Sequence, residues 1–471
     1  MTRIADPQRS FADLEFARQG VCLCPVLKTI SDFIDQHPEL AEEVRLDLQR
    51  GLKHPNTGRN GLAPEQVLRS LILMRIKNWD YRELRERISD GYTLRRFTGF
   101  DSKPVPKHDA FNRAFIRLTP VTIEAINDLV VRAAVKATLE DGSKLRVDTT
   151  VVQANVHHPT DSTLVWDSVR VITRLVLLMA KLIPGGVNGF RNRTRVARRR
   201  MQQIQRMTST QRRQQQVPKY RELIQVAQSV IDSARQVLDQ TKDVQGVDLM
   251  TNLALKSLRQ QIDNYCTLGG RVVNQARRRV LFEEKVPNDE KLFSIFEPHT
   301  DIIKRGKTLT PVEFGHKVFL AESANGLISQ YKILKGNPPD QLHVKMSLER
   351  HKQIFGCAPD LYSTDRGFYD SSNIDACNSA GVLQECIPQR GGTKSDLRAA
   401  HEKSPGFKKG QRFRAGIEGR ISVLFRGRGM KRCLSEGLDR FEILVGSCVL
   451  ANNLMRIAHL INTKQTRLRA A

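Results

Sequence analysis

The chain has 471 residues, 40% of them hydrophobic, and 76 Lys and Arg against 50 Asp and Glu give a formal net charge of +26. That apolar content excludes a disordered chain, and the length allows two or three domains. The cationic excess points to a polyanionic partner, nucleic acid ahead of anionic membrane.

The longest apolar run, "VITRLVLLMAKLI" from Val171 to Ile183, is too short to span a bilayer and carries Arg174 and Lys181. It reads as a core helix, so no membrane partner is expected. "MTRIADPQRSFADLEF" holds no apolar segment of signal-peptide type. Eight scattered cysteines form no CxxC pair, which argues against structural zinc and for buried reduced thiols. A cytoplasmic protein that touches DNA or RNA is the expectation.

Residues 1 to about 140 read as helical. Pro64 opens a helix whose Val67, Leu68, Leu71, Ile72 and Met74 share one face. A second helix is predicted from Tyr81 to Ile88, with a break at Asp90-Gly91, and a third short piece holds Leu94 and Phe97. Arg82, Arg85, Arg87, Arg95 and Arg96 fall outside. A helix-turn-helix-like DNA module and a packing or dimerisation bundle fit this stretch equally.

From Lys144 the pattern changes to strands, first "KLRVDTTVV". A helical block follows from about Ser162 to Thr300. Within it Tyr220, Leu223, Ile224, Ala227, Val230, Ile231, Ala234, Val237 and Leu238 recur at helical spacing. Strands return at Val312 to Ser323 and at Gly326 to Gly336. Next come a helix from His343 to Phe355, the strand "DLYSTD", a short helix near Ser372 to Ser379 and the strand "VLQECIP". A helix containing "AGIEGRISVLFR" and a last apolar helix from Phe441 to Ile461 close the chain. The mixed order of strands and helices matches a ribonuclease-H-like α/β domain. The expected organisation is therefore an all-α N-terminal domain over 1–140 and a mixed-sheet domain over 141–471, interrupted by a helical insertion at 162–300.

Three acids fall at informative places. Asp148 is on the first strand, Asp365 ends "DLYSTD", and Glu418 is inside the following helix. Converging carboxylates repel unless cations join them. Mg²⁺ takes oxygen ligands and keeps waters, so a few carboxylates and a substrate phosphate suffice, and two such ions serve phosphoryl transfer. Each acid also has a structural reading. Asp148 can sit at a strand end or pair with Arg146, two residues away, Asp365 can accept backbone N–H bonds in the turn "DRGF", and Glu418 can pair with Arg414 one helical turn away.

"RNRTRVARRRMQQIQRMTSTQRRQQQVP", from Arg191 to Pro218, contains no acid. Arg191, Arg195, Arg198, Arg199 and Arg200 read as a phosphate-contacting arm or as a solvated helix. Lys408, Lys409, Arg412, Arg414 and Arg426 flank Glu418 on both sides. Gly406, Gly410, Gly427 and Gly429 suggest loops that allow close backbone approach. Thr160-Asp161-Ser162 reads as a helix cap, and Trp166 as core or as a stacking platform. His157 and His158 read as solvated turn histidines or DNA contacts.

The stretches "RVDTTVVQANVHHPTDSTLVWDSVRVITR", "FSIFEPHTDIIKRGK", "PVEFGHKVFLAE", "LYSTDRGFYDSSN" and "GIEGRISVLFRGRGMKRC" together resemble bacterial insertion-sequence transposases of the DDE class, of the ISNCY kind. The resemblance runs over roughly residues 60 to 460. It implies a ribonuclease-H-like core with Asp148, Asp365 and Glu418 as catalytic, metal-holding acids. It also implies two Mg²⁺ ions, replaceable by Mn²⁺. The partner implied is double-stranded DNA, at the element ends and at the target, bound by a homodimer or higher oligomer in the bacterial cytoplasm and nucleoid. Of the Tyr, Arg, Glu, Lys signature of many such enzymes, Arg414 and Glu418 are present. Gln411 holds the Tyr position, and Phe425, followed by Arg426, holds the Lys position. In several relatives the large insertion follows the last strand, whereas here it follows the first. A metal-dependent nuclease of the same fold and a non-catalytic DNA-binding regulator are the competing expectations.

Overall fold

The computed structural model describes Arg18, residues 22–54, Thr57, 61–304 and 312–470. The N-terminal stretch read for a signal segment lies outside them. The chain divides into two compact units, residues 1–153 with 316–471, and Ala154–Gly315.

Among the described residues, seven helices precede the first strand: α1 (Pro25–Gln36), α2 (Glu39–Gln49), α3 (Pro64–Lys77), α4 (Tyr81–Asp90), α5 (Tyr92–Phe97), α6 (His108–Arg117) and α7 (Pro120–Lys136). Pro64 stands in the first turn of α3, and the Gln66 side chain bonds back to the Ala63 N–H at 3.1 Å. The single apolar face predicted for α3 is too narrow. Leu73, Ile76 and Arg69 are buried as well, because helices pack on every side. The buried Arg69 is satisfied by Asp35 at 2.5 Å and Ser31 at 2.9 Å. Asp80 caps α4 by accepting from the N–H groups of Arg82 and Glu83, both at 2.8 Å. The first strand, β1 (Lys144–Gln153), leaves this bundle with a nearly continuous buried run, the signature of a central strand.

The second unit is helical. It contains α8 (Asp161–Leu182), α9 (Thr194–Gln205), α10 (Ser209–Gln240), α11 (Leu249–Ala276), a π-helical turn at Arg277–Leu281 and β2 (Asp301–Lys304). Thr160 caps α8 as its sequence suggests, accepting from Thr163 N–H. The predicted stripe from Tyr220 to Val237 is buried against α8 and α11, with Leu164, Ile172, Leu255 and Val273 in the same core. Trp166 packs on that core. His157 is exposed, 3.7 Å from Asp167, and His158 meets the Phe314 ring edge-on. α10 starts well before Tyr220 and runs through Pro218, because Thr208 and Gln211 form a reciprocal cap upstream. β2, absent from the expected order, pairs antiparallel with the start of β3 (Val312–Ser323).

β3 continues into the first unit and pairs antiparallel with β4 (Ile328–Leu334). α12 (Val344–Phe355), β5 (Leu361–Ser363), α13 (Ser371–Ala380), β6 (Gln384–Cys386), α14 (Asp396–Lys403), α15 (Pro405–Gly427) and α16 (Leu438–Ala470) follow. The strand order is β2-β3-β1-β5-β6, with β4 on β3, and β1–β5 and β5–β6 are parallel. The fold is therefore mixed α/β, with a six-stranded mixed sheet and a large helical block after its first strand.

α16 shares one core with the N-terminal helices, burying Leu450, Leu454 and Ile457 beside Ile30, Leu71 and Ile126. It is long and apolar enough to cross a membrane by length and composition, and 78% of that window is buried inside the protein. Its Asn453 donates to Asn127 and to the Ile328 carbonyl, and accepts from Ile328 N–H. All eight cysteines are free. Burial pushes the thiols of Cys377 and Cys386 up to about 12, whereas Cys22, Cys24 and Cys357 are exposed, against the expectation of uniform burial.

Gly406, Gly410 and Gly427 are not in loops. All three lie in α15. The close approach expected of them is real at Gly406 and Gly410, but at Gly427 a Cβ would meet only Val423 at 3.9 Å. A Cβ on Gly410 would lie 2.2 Å from Cys386 Sγ, and one on Gly406 would lie 2.5 Å from Gln384 Oε1. Gly429, with φ +75°, does sit in a turn, where a Cβ would meet Asn78 Oδ1 at 2.1 Å.

Candidate active site

β1 and β5 lie side by side in parallel, with Leu145 opposite Tyr362 and Arg146 opposite Ser363. Asp148 and Asp365 each stand two residues past that last pair, so the same end of the sheet carries both. α15 crosses this end and is fastened to it by several bonds. Ser363 Oγ donates to the Gly410 carbonyl at 2.9 Å. Gln411 donates to the carbonyls of Cys386 at 2.6 Å and Thr364 at 3.1 Å. Arg146 Nη1 donates to the Phe413 carbonyl at 2.5 Å, and its guanidinium stacks 4.6 Å from the Phe413 ring. Ile417 and Leu424 form the buried stripe of α15.

This docking brings Arg414 and Glu418, one turn apart, to the two aspartates. Arg414 Nη2 lies 3.0 Å from Asp148 Oδ2 and 3.9 Å from Asp365 Oδ2, while its Nη1 lies 3.1 Å from Glu418 Oε1. One guanidinium thus gathers all three sequence-predicted acids. The side chains open toward solvent in order, with Asp148 13% exposed, Asp365 39% and Glu418 68%, so a ligand reaches the group from the Glu418 side.

The structural readings of Asp365 and Glu418 hold at the same time, whereas Arg146, the expected partner of Asp148, pairs with the buried Glu322 and Arg414 takes its place. Asp365 Oδ1 accepts from Gly367 N–H at 2.8 Å, and Glu418 pairs with Arg414 at i, i+4. Asp148 Oδ1 accepts from Thr149 N–H at 2.7 Å. What sequence reasoning missed is that Arg414 serves all three acids, and that a fourth carboxylate stands beside them. Asp340 accepts from Thr149 Oγ1 at 2.9 Å and pairs with Lys317 at 2.8 Å. A Cβ on Gly367 would fall 3.0 Å from Asp365 Oδ1 and 3.3 Å from Asp340 Oδ2, so a side chain there would crowd both carboxylates. "NPPD" carried no signal for Asp340. Lys317, a cation within the strand "VEFGHKVFLAES", was the one available hint.

Among the described residues, no three His, Cys, Asp or Glu side chains close on one point as a finished metal cage. The three acids nonetheless form an all-oxygen donor set around one cation, the set that Mg²⁺ and Mn²⁺ take.

The remaining predicted cations divide. Lys408, Lys409 and Arg412 are exposed on α15, and Arg426 is exposed two turns beyond Glu418. On α9 and just before it, Arg191, Arg195, Arg198 and Arg199 are exposed, with Ala197 and Ile204 on the buried side. Arg200 departs from the expected arm. It pairs with Glu222 at 2.5 Å and with Gln203 at 2.9 Å, so its charge is spent inside the second unit.

Residues 23–117, which span α1 to α6, match the family described as Transposase domain (DUF772). Comparison with curated proteins and with solved structures gave no match. The matched helices support a transposase, and with it a DNA-processing enzyme that binds DNA. The match ends before Asp148, so the acids rest on their own geometry.

Proposed function

We propose that the protein is a DDE-class transposase of the ISNCY kind, with a ribonuclease-H-like catalytic core. It cuts DNA at the terminal inverted repeats of its insertion sequence and joins the freed ends to target DNA. The observation that carries this reading is the meeting of Asp148, Asp365 and Glu418 at Arg414, from β1, the end of β5 and α15. The transposase match over the N-terminal helices supports it independently.

Asp148, Asp365 and Glu418 would hold Mg²⁺ or Mn²⁺, two ions when fully loaded, and that metal would supply activation of the attacking oxygen and stabilisation of the leaving one. Everything else falls to the chain. The sheet end and α15 fix the acids on regular elements, which hold ligands more tightly than loops do. Arg414, one cation facing all three carboxylates, offsets part of their mutual repulsion. Lys408, Lys409 and Arg412 offer cations to the phosphate backbone along the exposed side of α15, and Arg426 does so farther on. Arg191, Arg195, Arg198 and Arg199 form a separate sequence-independent contact surface on the second unit.

The test is a strand-transfer assay with terminal-repeat DNA and a second DNA as target. Asp148→Ala and Asp365→Ala are expected to abolish cutting and joining while leaving binding to the repeat within about twofold. Full strand transfer by either variant sinks the assignment. Cutting without transfer by the unmodified protein makes it a nuclease, and binding without cutting makes it a regulator.

A further inference from the structure

Beneath the acids lies an ionic group that the proposed reaction does not use. Glu322, on β3, is fully buried. A carboxylate there costs several kcal/mol unless it is paired and hydrogen-bonded. Both of its oxygens are engaged. Oε2 accepts from Arg146 Nε at 2.8 Å and lies 2.7 Å from Arg146 Nη2, and Oε1 accepts from Arg420 Nε at 2.8 Å.

The two arginines stand at defined distances from the acids. Arg146 is two residues before Asp148 on β1, and side chains two apart on a strand share a face. Arg420 is two residues after Glu418 on α15. Arg146 is also bound to Phe413, the residue before Arg414. The segment 413–420, which carries Arg414 and Glu418, is therefore tied to the sheet at both ends: at Phe413 by Arg146, whose guanidinium Glu322 orients, and at Arg420 by Glu322 itself.

Two further features fit this arrangement. The β3–β4 register slips between Ala321 and Glu322, and such an irregularity re-aims a side chain. In the turn that follows, Gly326 has φ +87°, and a Cβ there would lie 2.7 Å from Arg420 Nη2 and 3.3 Å from Glu322 Oε1. The turn thus leaves its space to the ionic group.

We propose that Glu322 is a positioning residue: by clamping Arg146 and Arg420 it sets the distance between Asp148 and Glu418, and so the affinity of the acid site for divalent metal. The inference rests on the reading of Asp148, Asp365 and Glu418 as the metal-holding acids.

The experiment is titration of the full-length protein with Mn²⁺, with free Mn²⁺ followed by electron paramagnetic resonance. Asp148→Asn tests the underlying reading, and an unchanged Mn²⁺ affinity in that variant overturns the reading and the inference together. With that loss established, Glu322→Gln is expected to weaken Mn²⁺ binding by about tenfold or more. Leu40→Ala, a distant core change in α2 that also lowers thermal stability, is expected to stay within about twofold of the unmodified protein. Arg146→Lys keeps the charge but cannot form the forked hydrogen bonds to Glu322 and Phe413. It is expected to weaken binding by at least threefold, and it decides the matter if Glu322→Gln fails to fold. Mn²⁺ affinity unchanged in a folded Glu322→Gln protein, or in Arg146→Lys, overturns the proposal. So does a loss in Leu40→Ala as large as that in the Glu322 variant, since general destabilisation then explains both.

Discussion

Replacing glycine by alanine inside a helix ordinarily stabilises a protein by about 0.5–1 kcal/mol, because the unfolded chain loses freedom. α15 offers two glycines at which this rule and the packing give opposite answers. At Gly410 the new methyl would sit 2.2 Å from Cys386 Sγ and 2.9 Å from Cys386 Cβ. The sulfur can rotate away, but the Cβ is fixed to β6, and Cys386 is fully buried. Relief therefore requires α15 to lift from β6, breaking the bonds of Gln411 to the Cys386 and Thr364 carbonyls. Overpacking of this kind costs about 1–3 kcal/mol, which exceeds the helix-propensity gain. At Gly419 nothing lies within 4 Å, and only the gain applies.

Gly410→Ala is thus expected to lower stability by about 1–2 kcal/mol net, and Gly419→Ala to raise it by about 0.5–1 kcal/mol. Urea denaturation of the two variants, read at equal protein concentration, gives both signs. Because Arg414 and Glu418 ride on the same helix, Gly410→Ala should also depress strand transfer. A Gly410→Ala protein as stable as Gly419→Ala would refute the docking of α15 described here.

Glu418→Gln is expected to abolish joining yet shift stability by less than about 0.5 kcal/mol, because its exposed side chain makes only a surface ion pair. Glu402, held by Lys394, Arg398 and the Gln389 N–H, should behave oppositely: Glu402→Gln lowers the melting temperature and changes joining by less than about tenfold. Glu436→Gln should likewise leave joining within about tenfold. Replacing Arg191, Arg195, Arg198 and Arg199 with Ala should reduce the slope of log K against log salt by about 0.9 for each phosphate no longer neutralised, whatever the DNA sequence. Arg200→Ala should lower stability through Glu222 and leave that slope unchanged. Burial lowers the His351 pKa from 6.5 to about 4, its ring stacked 4.4 Å from that of Phe355. The unfolded chain then takes up the proton first as pH falls. Stability from this group is intact above pH 6.5 and declines by about 1.4 kcal/mol per pH unit down to about pH 4. His351→Phe should flatten that decline, as read by denaturation between pH 7 and pH 4.

The strands were legible where β-branched runs were dense, and β1 and β3 stand close to the predicted positions. β2 was missed because its four residues lie at the end of a helical block and pair with a strand that begins later. The glycines of α15 were read as loops because glycine usually interrupts helices. Here the missing side chains let a helix approach a strand, which only the tertiary packing reveals. The three acids were singled out by their order along the chain, and the structure brings them to one guanidinium. The Arg414–Glu418 spacing was also noticed, as a structural alternative to a metal role. Sequence spacing gives pairs, however, and it does not disclose that the same guanidinium also meets Asp148 and Asp365 from distant segments. Arg200 was grouped with its neighbours by composition, while its partner Glu222 lies on another helix. The apolar strength of α16 was likewise visible, but its burial among the N-terminal helices was not.

The entry and exit of the second unit bear on how the chain folds. Ala154 N–H donates to the Phe314 carbonyl at 3.1 Å, so the first and the nearly last residues of that unit are joined. Bringing β1 to β3 across a free loop of roughly 160 residues would cost about 4–5 kcal/mol of closure entropy, growing with the logarithm of loop length. Helical hairpins such as α10 and α11 are built from local contacts, which form early. Once the unit has formed, the loop that β1 and β3 must close shrinks to a few residues, and about 3 kcal/mol of that cost is removed. The helical unit is thus a folding clasp as well as a basic surface: a break in its hydrophobic core slows formation of the sheet end that carries Asp148.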